Sequence, residues 1–293
     1  MRILVTGGNG FIGSYLLPRL LNAGHDVCHP PESQMDLRYA SAIDRVVQDF
    51  DPEAVIHLAA KTEVAFSFDD YEDVSNVNYI GTVRLAEACR QYTTDFQLFL
   101  MASTMETYGN HFEERAFTES TPQHPAAPYA VAKVAAEKYL EYMEYAYRFP
   151  STILRQTNTY GRKYNDFFVM ERIITQMLKK DQIYLGNPDP VRNFLWIEDL
   201  IDLYEAVLDQ MPIGETFVTG PNNGISIRDL VALIADKLDW KGKVNWHTIP
   251  ARPGEIYYLN SNPSKAKTLL GWEPKVSLEE GIDKTIALWQ RSS

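Results

Sequence analysis

The chain has 293 residues, 45% of them hydrophobic and 23% charged, the balance of a folded globular protein and far from that of a disordered or collagen-like one. Its 28 Lys and Arg against 39 Asp and Glu leave a net charge of −11 with no basic run, which argues against nucleic acid or an anionic membrane as partner. No stretch approaches the roughly 18–20 apolar residues of a membrane span, the N-terminus lacks a secretory layout, and Cys28 and Cys89 are too few for a disulfide framework or a zinc site, so a cytoplasmic protein without a metal is expected.

Arg2–Thr6 is a short β-branched run that stops at glycines, and Phe11–Asn22 then repeats apolar residues at helical spacing, which reads as strand, tight turn, helix. A second strand is predicted around Asp26–His29, a helix over Ala40–Asp49 and an apolar run over Ala54–Ala60. A helix over Asn78–Tyr92, a strand over Phe96–Ala102, a helix over Tyr129–Tyr147 and a strand over Ser151–Arg155 continue the alternation. Near-continuous apolar strands separated by helices predict an α/β fold with a doubly wound parallel sheet, Rossmann-like and covered on both faces. Past residue 156 the pattern loosens into loops at 186–190, 220–224 and 250–254, with helices predicted at 166–179, 197–209, 227–238 and 278–290.

Thr6-Gly-Gly-Asn-Gly-Phe-Ile-Gly13 places Gly7, Gly8, Gly10 and Gly13 between the first strand and the first helix, with Phe11 and Ile12 opening that helix. Positions without side chains let the backbone approach a pyrophosphate whose charge sits at the helix N-terminus; the competing reading is a merely structural turn, and the position after the first strand favours a dinucleotide. The acid that holds the ribose hydroxyls in many NAD sites is expected near Pro31, with Glu32 adjacent, and no Arg or Lys is read as close enough for a 2′-phosphate, so NAD and NADP both stay open. Asp36 and Leu37 either flank the adenine or start a helix.

Tyr129-Ala-Val-Ala-Lys133 lies on a predicted helix, where a spacing of four puts phenol and ammonium on one face and the positive charge lowers the phenol's pKa; a solvated helix face is the bland alternative. Upstream, Ser103-Thr-Met-Glu-Thr-Tyr-Gly109 follows a sheet strand at the end where ligands of such folds collect. His57, in an apolar strand, reads as a satisfied core histidine, and the six histidines show no metal-ligand spacing. Tyr139, Tyr142, Tyr145 and Tyr147 read as packing, with a substrate lining as the alternative.

With these elements in order, the chain resembles the extended short-chain dehydrogenases/reductases of the NAD-dependent nucleotide-sugar epimerase/dehydratase group. Further shared motifs are Leu58-Ala-Ala60, Asn78, Asn158-Thr-Tyr-Gly161, Arg192-Asn-Phe194, Arg252-Pro-Gly-Glu255 and Leu270-Gly-Trp-Glu-Pro274. The resemblance implies a dinucleotide-binding domain over 1–155, which also receives part of 190–220, and a mainly nucleotide-sugar-binding domain over 156–293, smaller and mixed α/β. It implies Tyr129 as acid/base, Lys133 as its partner on the nicotinamide ribose and Thr104 as hydrogen-bond partner of the reacting oxygen, with Ser103 as fallback. Gly7, Gly10, Phe11, Ile12, Gly13, Asp36, Leu37, Leu58, Ala59, Ala60 and Asn78, with Tyr129 and Lys133, form the implied NAD site, NADP being the alternative.

Asn158, Arg192, Arg252 and Glu255 are the implied contacts of a nucleotide-diphosphate sugar, which an acidic protein holds with a few placed arginines. Related dehydratases carry Asp-Glu after the Thr, whereas here the triplet is Thr104-Met105-Glu106: Glu106 can still serve as a base, but Met105 cannot donate a proton. The implied function is an epimerase or dehydratase acting through a 4-keto intermediate with recycled cofactor. The alternatives are an NADPH-dependent 4-keto-sugar-nucleotide reductase, suggested by the short segment before Asp36, and a non-catalytic sensor. Loops Phe112–Gln123 and Tyr164–Val169 are expected to shape the pocket, and the Tyr129 and Asn78 helices to pair across a homodimer.

Overall fold

Alternation along Arg2–Thr6 (β1) sends Leu4 to one face of a sheet and Ile3 and Val5 to the other, and all three are fully buried. The computed structural model describes residues 1–111, 113 and 115–291; Phe112 and Glu114 of the loop expected at 112–123 lie outside them. From β1 the chain runs through α1 (Phe11–Asn22), β2 (Asp26–Cys28), α2 (Ala40–Phe50), β3 (Ala54–His57), α3 (Tyr71–Ser75), α4 (Gly81–Tyr92), β4 (Leu98–Thr104), α5 (Pro128–Tyr147) and β5 (Ser151–Gln156). It continues as β6 (Asn158–Tyr160), α6 (Val169–Lys179), β7 (Gln182–Tyr184), β8 (Val191–Arg192), β9 (Phe194–Trp196), α7 (Ile197–Gln210), β10 (Thr216–Val218) and β11 (Ile225–Ser226). The last elements are α8 (Ile227–Lys237), β12 (Lys243–Asn245), β13 (Tyr258–Leu259), α9 (Ser264–Leu270) and α10 (Leu278–Gln290). None of the described helices is long and apolar enough to cross a membrane.

The chain packs as two units. The first comprises 1–109, 122–156 and 203–217. Its six-stranded sheet has the order β10-β5-β4-β3-β1-β2, in which β2, β1, β3, β4 and β5 pair in parallel. This is the doubly wound arrangement that the alternating pattern predicts. Leu4, Val55, Phe99 and Ile153, one from each of four neighbouring strands, meet Ile43 and Val47 of α2, Leu85 and Cys89 of α4, and Leu140 and Met143 of α5 in one core. Each of the larger aliphatic or aromatic side chains so buried contributes about 1.5–3 kcal/mol, so this face fixes the register of the strands. Strand order reverses at β1, between β2 and β3, which makes the carboxyl ends of β1 and β3 the natural ligand crevice.

Two boundaries differ from the sequence reading. β3 stops at His57, short of the apolar run to Ala60, because residues 58–60 turn beneath Gly7 and Ala59 N–H donates to Thr6 Oγ1 instead of continuing the ladder. The helix expected from Asn78 begins at Tyr71, and a π turn over Asn76–Ile80 joins α3 to α4. The wider turn shifts the 3.6-residue period, which hides the first part of the helix in sequence while rotating Asn78 into full burial.

The second unit comprises 110–121, 157–202 and 218–293. Its strands are two or three residues long: β8 lies between β11, antiparallel, and β13, parallel, while β12 pairs with β7 and β6 with β9. Serine caps start two of its helices, Ser226 accepting from Asp229 N–H and Ser277 from Glu280 N–H.

Candidate active site

The glycine turn is built for close backbone approach. Gly7 has φ +70°, and a Cβ there would lie 2.7 Å from Ala59 N; a Cβ on Gly13 would lie 2.2 Å from the Gly8 carbonyl oxygen. Gly10 caps α1 without a side-chain hydrogen bond, and no acidic residue stands in the first turn, where Phe11 and Ile12 are half-buried. Backbone N–H groups and the positive end of the helix are thus left for an anion.

A directional chain of hydrogen bonds ties this turn to the loop after β3. Thr82 Oγ1 donates to the Asn78 carbonyl (2.8 Å), so it accepts from His57 Nε2–H (2.9 Å); His57 Nδ1 then accepts from Thr6 O–H (2.7 Å), and Thr6 Oγ1 accepts from Ala59 N–H (3.2 Å). Asn78 closes the loop, its amide bonding the Lys61 backbone in both directions at 2.8 and 2.9 Å. Leu58, Ala59 and Ala60, half-buried, are held between Gly7 and Asn78. Burial pushes His57 down to about 3, with the Lys133 charge acting the same way, so its imidazole is neutral at ordinary pH.

In the loop after β2 the structure brings a cation, Arg38, against Glu32, where none is expected from sequence. The Arg38 guanidinium bonds Asp36 at 2.9 Å and Glu32 at 2.9 Å and reaches Asp73 at 3.3 Å, while Lys61 pairs with Asp73 at 2.9 Å. Asp36 also accepts from Arg38 N–H, and Leu37 is buried in the core beneath Gly81.

The chemistry-bearing residues of this unit converge where β4 ends against α5. Thr104 terminates β4, and its hydroxyl oxygen accepts from Glu106 N–H (3.1 Å), capping the turn that carries Glu106. Pro128 starts α5, placing Tyr129 in its first turn and Lys133 one turn on, both buried. Burial raises the Tyr129 phenol, the Glu106 charge raises it further, and a hydrogen bond with Thr104 pulls it back. Burial pushes the Lys133 ammonium down to about 8 against the opposing charge of Glu137, and Nζ donates to the Ala102 carbonyl at 2.8 Å. Met105 is 1% exposed, so its side chain sits in the interior.

Behind these residues lies a buried ion pair not anticipated from sequence, Glu137 with Arg155 at 2.7 Å. The available signal was the recurrence of 129, 133 and 137 at helical spacing.

In the second unit Arg192, Arg252 and Glu255 come together, with Glu255 3.6 Å from Arg192 and 3.7 Å from Arg252. Arg192 is fixed by donating to the Ile256 carbonyl at 2.7 Å, and Asn110 braces the segment by donating to the Glu255 carbonyl and accepting from Tyr257 N–H. Asn158 is exposed on β6 and donates to the carbonyl of Asn193, the residue that follows Arg192. Among the described residues no His, Cys, Asp or Glu cluster could hold a metal ion.

A family profile described as GDP-mannose 4,6 dehydratase matches residues 32–285. The chain is 30% identical over 317 residues to a UDP-glucose 4-epimerase of Mycolicibacterium smegmatis, covering 100% of both chains. It is 27% identical over 328 residues to a dTDP-glucose 4,6-dehydratase of Haemophilus influenzae, covering 98% of this chain and 97% of the relative. The crystal structure of a Thermus thermophilus UDP-glucose 4-epimerase in complex with NAD superposes with a TM-score of 0.91 at 29% identity, covering 100% of each chain.

Proposed function

The chain belongs to the extended short-chain dehydrogenase/reductase family of nucleotide-sugar epimerases and dehydratases, and we propose that it is an NAD-dependent nucleotide-sugar 4-epimerase. The observation that carries this choice is the burial of Met105 between Thr104 and Glu106. Elimination of water from a 4-keto sugar needs a proton donor for the departing hydroxyl, and a thioether sealed in the interior supplies none. Beyond a hydride acceptor, inversion at C4 needs only the proton transfer that Thr104, Tyr129 and Lys133 can arrange.

The residues fit NAD: Gly7 and Gly13 let the backbone of the turn pack against Ala59 and Gly8, where a Cβ would collide, and the uncapped, acid-free start of α1 leaves its N–H groups for a pyrophosphate. Gly7, Gly10 and Gly13 would hold the pyrophosphate, Leu58–Ala60 and Asn78 the adjoining loop, and Tyr129 and Lys133 the nicotinamide ribose. NAD held there would supply the hydride acceptor and donor that a change of configuration at C4 requires. Tyr129 takes the proton from the C4 hydroxyl and later gives it back, Thr104 holds that oxygen, and the Lys133 charge lowers the phenol toward working pH. Arg192 and Arg252 meet the diphosphate, with Glu255 and Asn158 as neighbouring contacts.

The NADPH-dependent reductase is disfavoured by charge. Its 2′-phosphate requires a cation near the end of β2, where Arg38 is held by Asp36, Glu32 and Asp73. Tyr142, Tyr145 and Tyr147, expected from sequence to pack, instead lie exposed on α5 and support a homodimer, which sedimentation of the purified protein tests. The functional reading is tested by analysing nucleotides released from freshly purified, denatured protein: stoichiometric NAD supports it, and an empty protein that prefers NADPH over NADH refutes it.

A further inference from the structure

The carboxyl end of β4 is joined to α5 at two successive residues, and the third, Thr104, acts on the Tyr129 phenol. Lys133 donates to the Ala102 carbonyl at 2.8 Å, the Ser103 hydroxyl donates to Glu137, and Thr104 pulls the buried phenol's pKa down. Tyr129, Lys133 and Glu137 follow one another at a spacing of four along one face of α5, at 8%, 2% and 0% exposure. Glu137 is the most heavily bonded of the three. Besides Ser103 it accepts from Gln123 at 2.7 Å and from Arg155 Nε and Nη2 at 3.1 and 2.7 Å, and Arg155 Nη1 reaches on to Tyr108 at 3.0 Å. A carboxylate taken wholly out of water persists only when its lone pairs are met in this way, so the arrangement is rigid and charged.

We propose that Glu137 is the positioning residue of the catalytic face: it fixes the register of Tyr129 and Lys133 against β4 and supplies the negative charge that Lys133 faces. The proposal rests on the reading of Tyr129 and Lys133 as the proton-transfer pair. The charged and titratable groups on every side agree with it. His57 on β3 is neutral, Arg155 on β5 is engaged with Glu137 itself, Glu106 beyond β4 acts on Tyr129, and within α5 Glu137 is the group whose charge supports the Lys133 ammonium. Without that charge the Lys133 cation is disfavoured, so its titration moves to lower pH.

The test is the pH profile of kcat for Glu137→Gln, measured on the full-length protein with UDP-glucose. The variant keeps the side-chain shape and removes the charge. The limb set by Lys133 is expected to move down by about one pH unit or more, with kcat at the optimum lowered roughly tenfold and KM within about threefold. Glu137→Asp, which keeps the charge on a shorter arm, is expected to restore that limb while kcat stays low. A limb that does not move in a folded Glu137→Gln protein overturns the proposal. If that variant fails to fold, Glu137→Asp decides, and an unchanged kcat overturns it. Tyr129→Phe, run alongside, separates the two levels: turnover in that variant refutes the proton-transfer reading, whereas its inactivity with an unmoved Glu137→Gln limb refutes only the role of Glu137.

Discussion

His57 makes the stability of the first unit acid-sensitive in a calculable way. Its ordinary value is 6.5 and its folded value about 3, because both ring nitrogens are committed inside the protein to Thr6 and Thr82. Between those values the unfolded chain binds a proton that the folded chain refuses, so stability present above 6.5 is lost as pH falls. The loss is about 1.4 kcal/mol per unit, or about 2.7 kcal/mol two units below 6.5. Lys133 is charged in both states across this window and adds nothing to the slope. His57→Gln retains one donor and one acceptor and is expected to cost about 1–2 kcal/mol near neutral pH. Carboxylates titrate alike in both proteins, so the stability difference between them should shrink on acidification and invert by about pH 4.5. Urea unfolding should be followed by far-ultraviolet circular dichroism, since all five tryptophans, residues 196, 240, 246, 272 and 289, lie in the second unit. A difference that stays constant with pH would refute the assignment of a neutral, doubly bonded His57.

Three further outcomes follow from the same geometry. Gly13→Ala puts a methyl 2.2 Å from the Gly8 carbonyl, a backbone contact that cannot yield, and calorimetric titration should show NAD affinity reduced about 100-fold; affinity within twofold of the parent would contradict the cradle. Met105→Asp buries a carboxyl with no prepared partner and should lower stability by about 2–4 kcal/mol in chemical denaturation, whereas an undestabilised variant would mean that position 105 opens onto solvent or substrate. Arg252→Ala should raise KM for the nucleotide sugar and Kd for UDP by about 10- to 100-fold with kcat within about threefold, and a loss confined to kcat would remove Arg252 from the diphosphate.

The first unit was largely legible because its signals are local. α1 begins at Phe11 and ends at Asn22 as the apolar period predicts, the strands are continuous apolar runs, and the glycine turn falls between them. His57 is the satisfied core residue its apolar setting suggests, although nothing in sequence names Thr6, Thr82 and Asn78 as its chain of partners. The π turn broke the helical period and concealed Tyr71–Ser75. Arg38 was overlooked because it lies beyond the stretch read for a ribose acid, yet its side chain folds back to Glu32. Glu137, Ser103 and Arg155 meet across 34 and 18 residues, a convergence that only the packed sheet and helix create. In the second unit, strands of two or three residues carry too little periodicity to be read, so Arg192, Arg252 and Glu255 were reached by resemblance and not by pattern.

The proposed reaction is inversion at C4 with the hydride returned to the carbon it left. The direct measurement is incubation of the protein as purified, without added nucleotide, with UDP-glucose carrying deuterium at C4, followed by mass and proton resonance analysis of the product. The expected result is the C4 epimer with its deuterium retained, no lasting absorbance of reduced nicotinamide, and no product with Tyr129→Phe. A product lighter by one water, or turnover that begins only when NADPH and a 4-keto sugar are supplied, would contradict it.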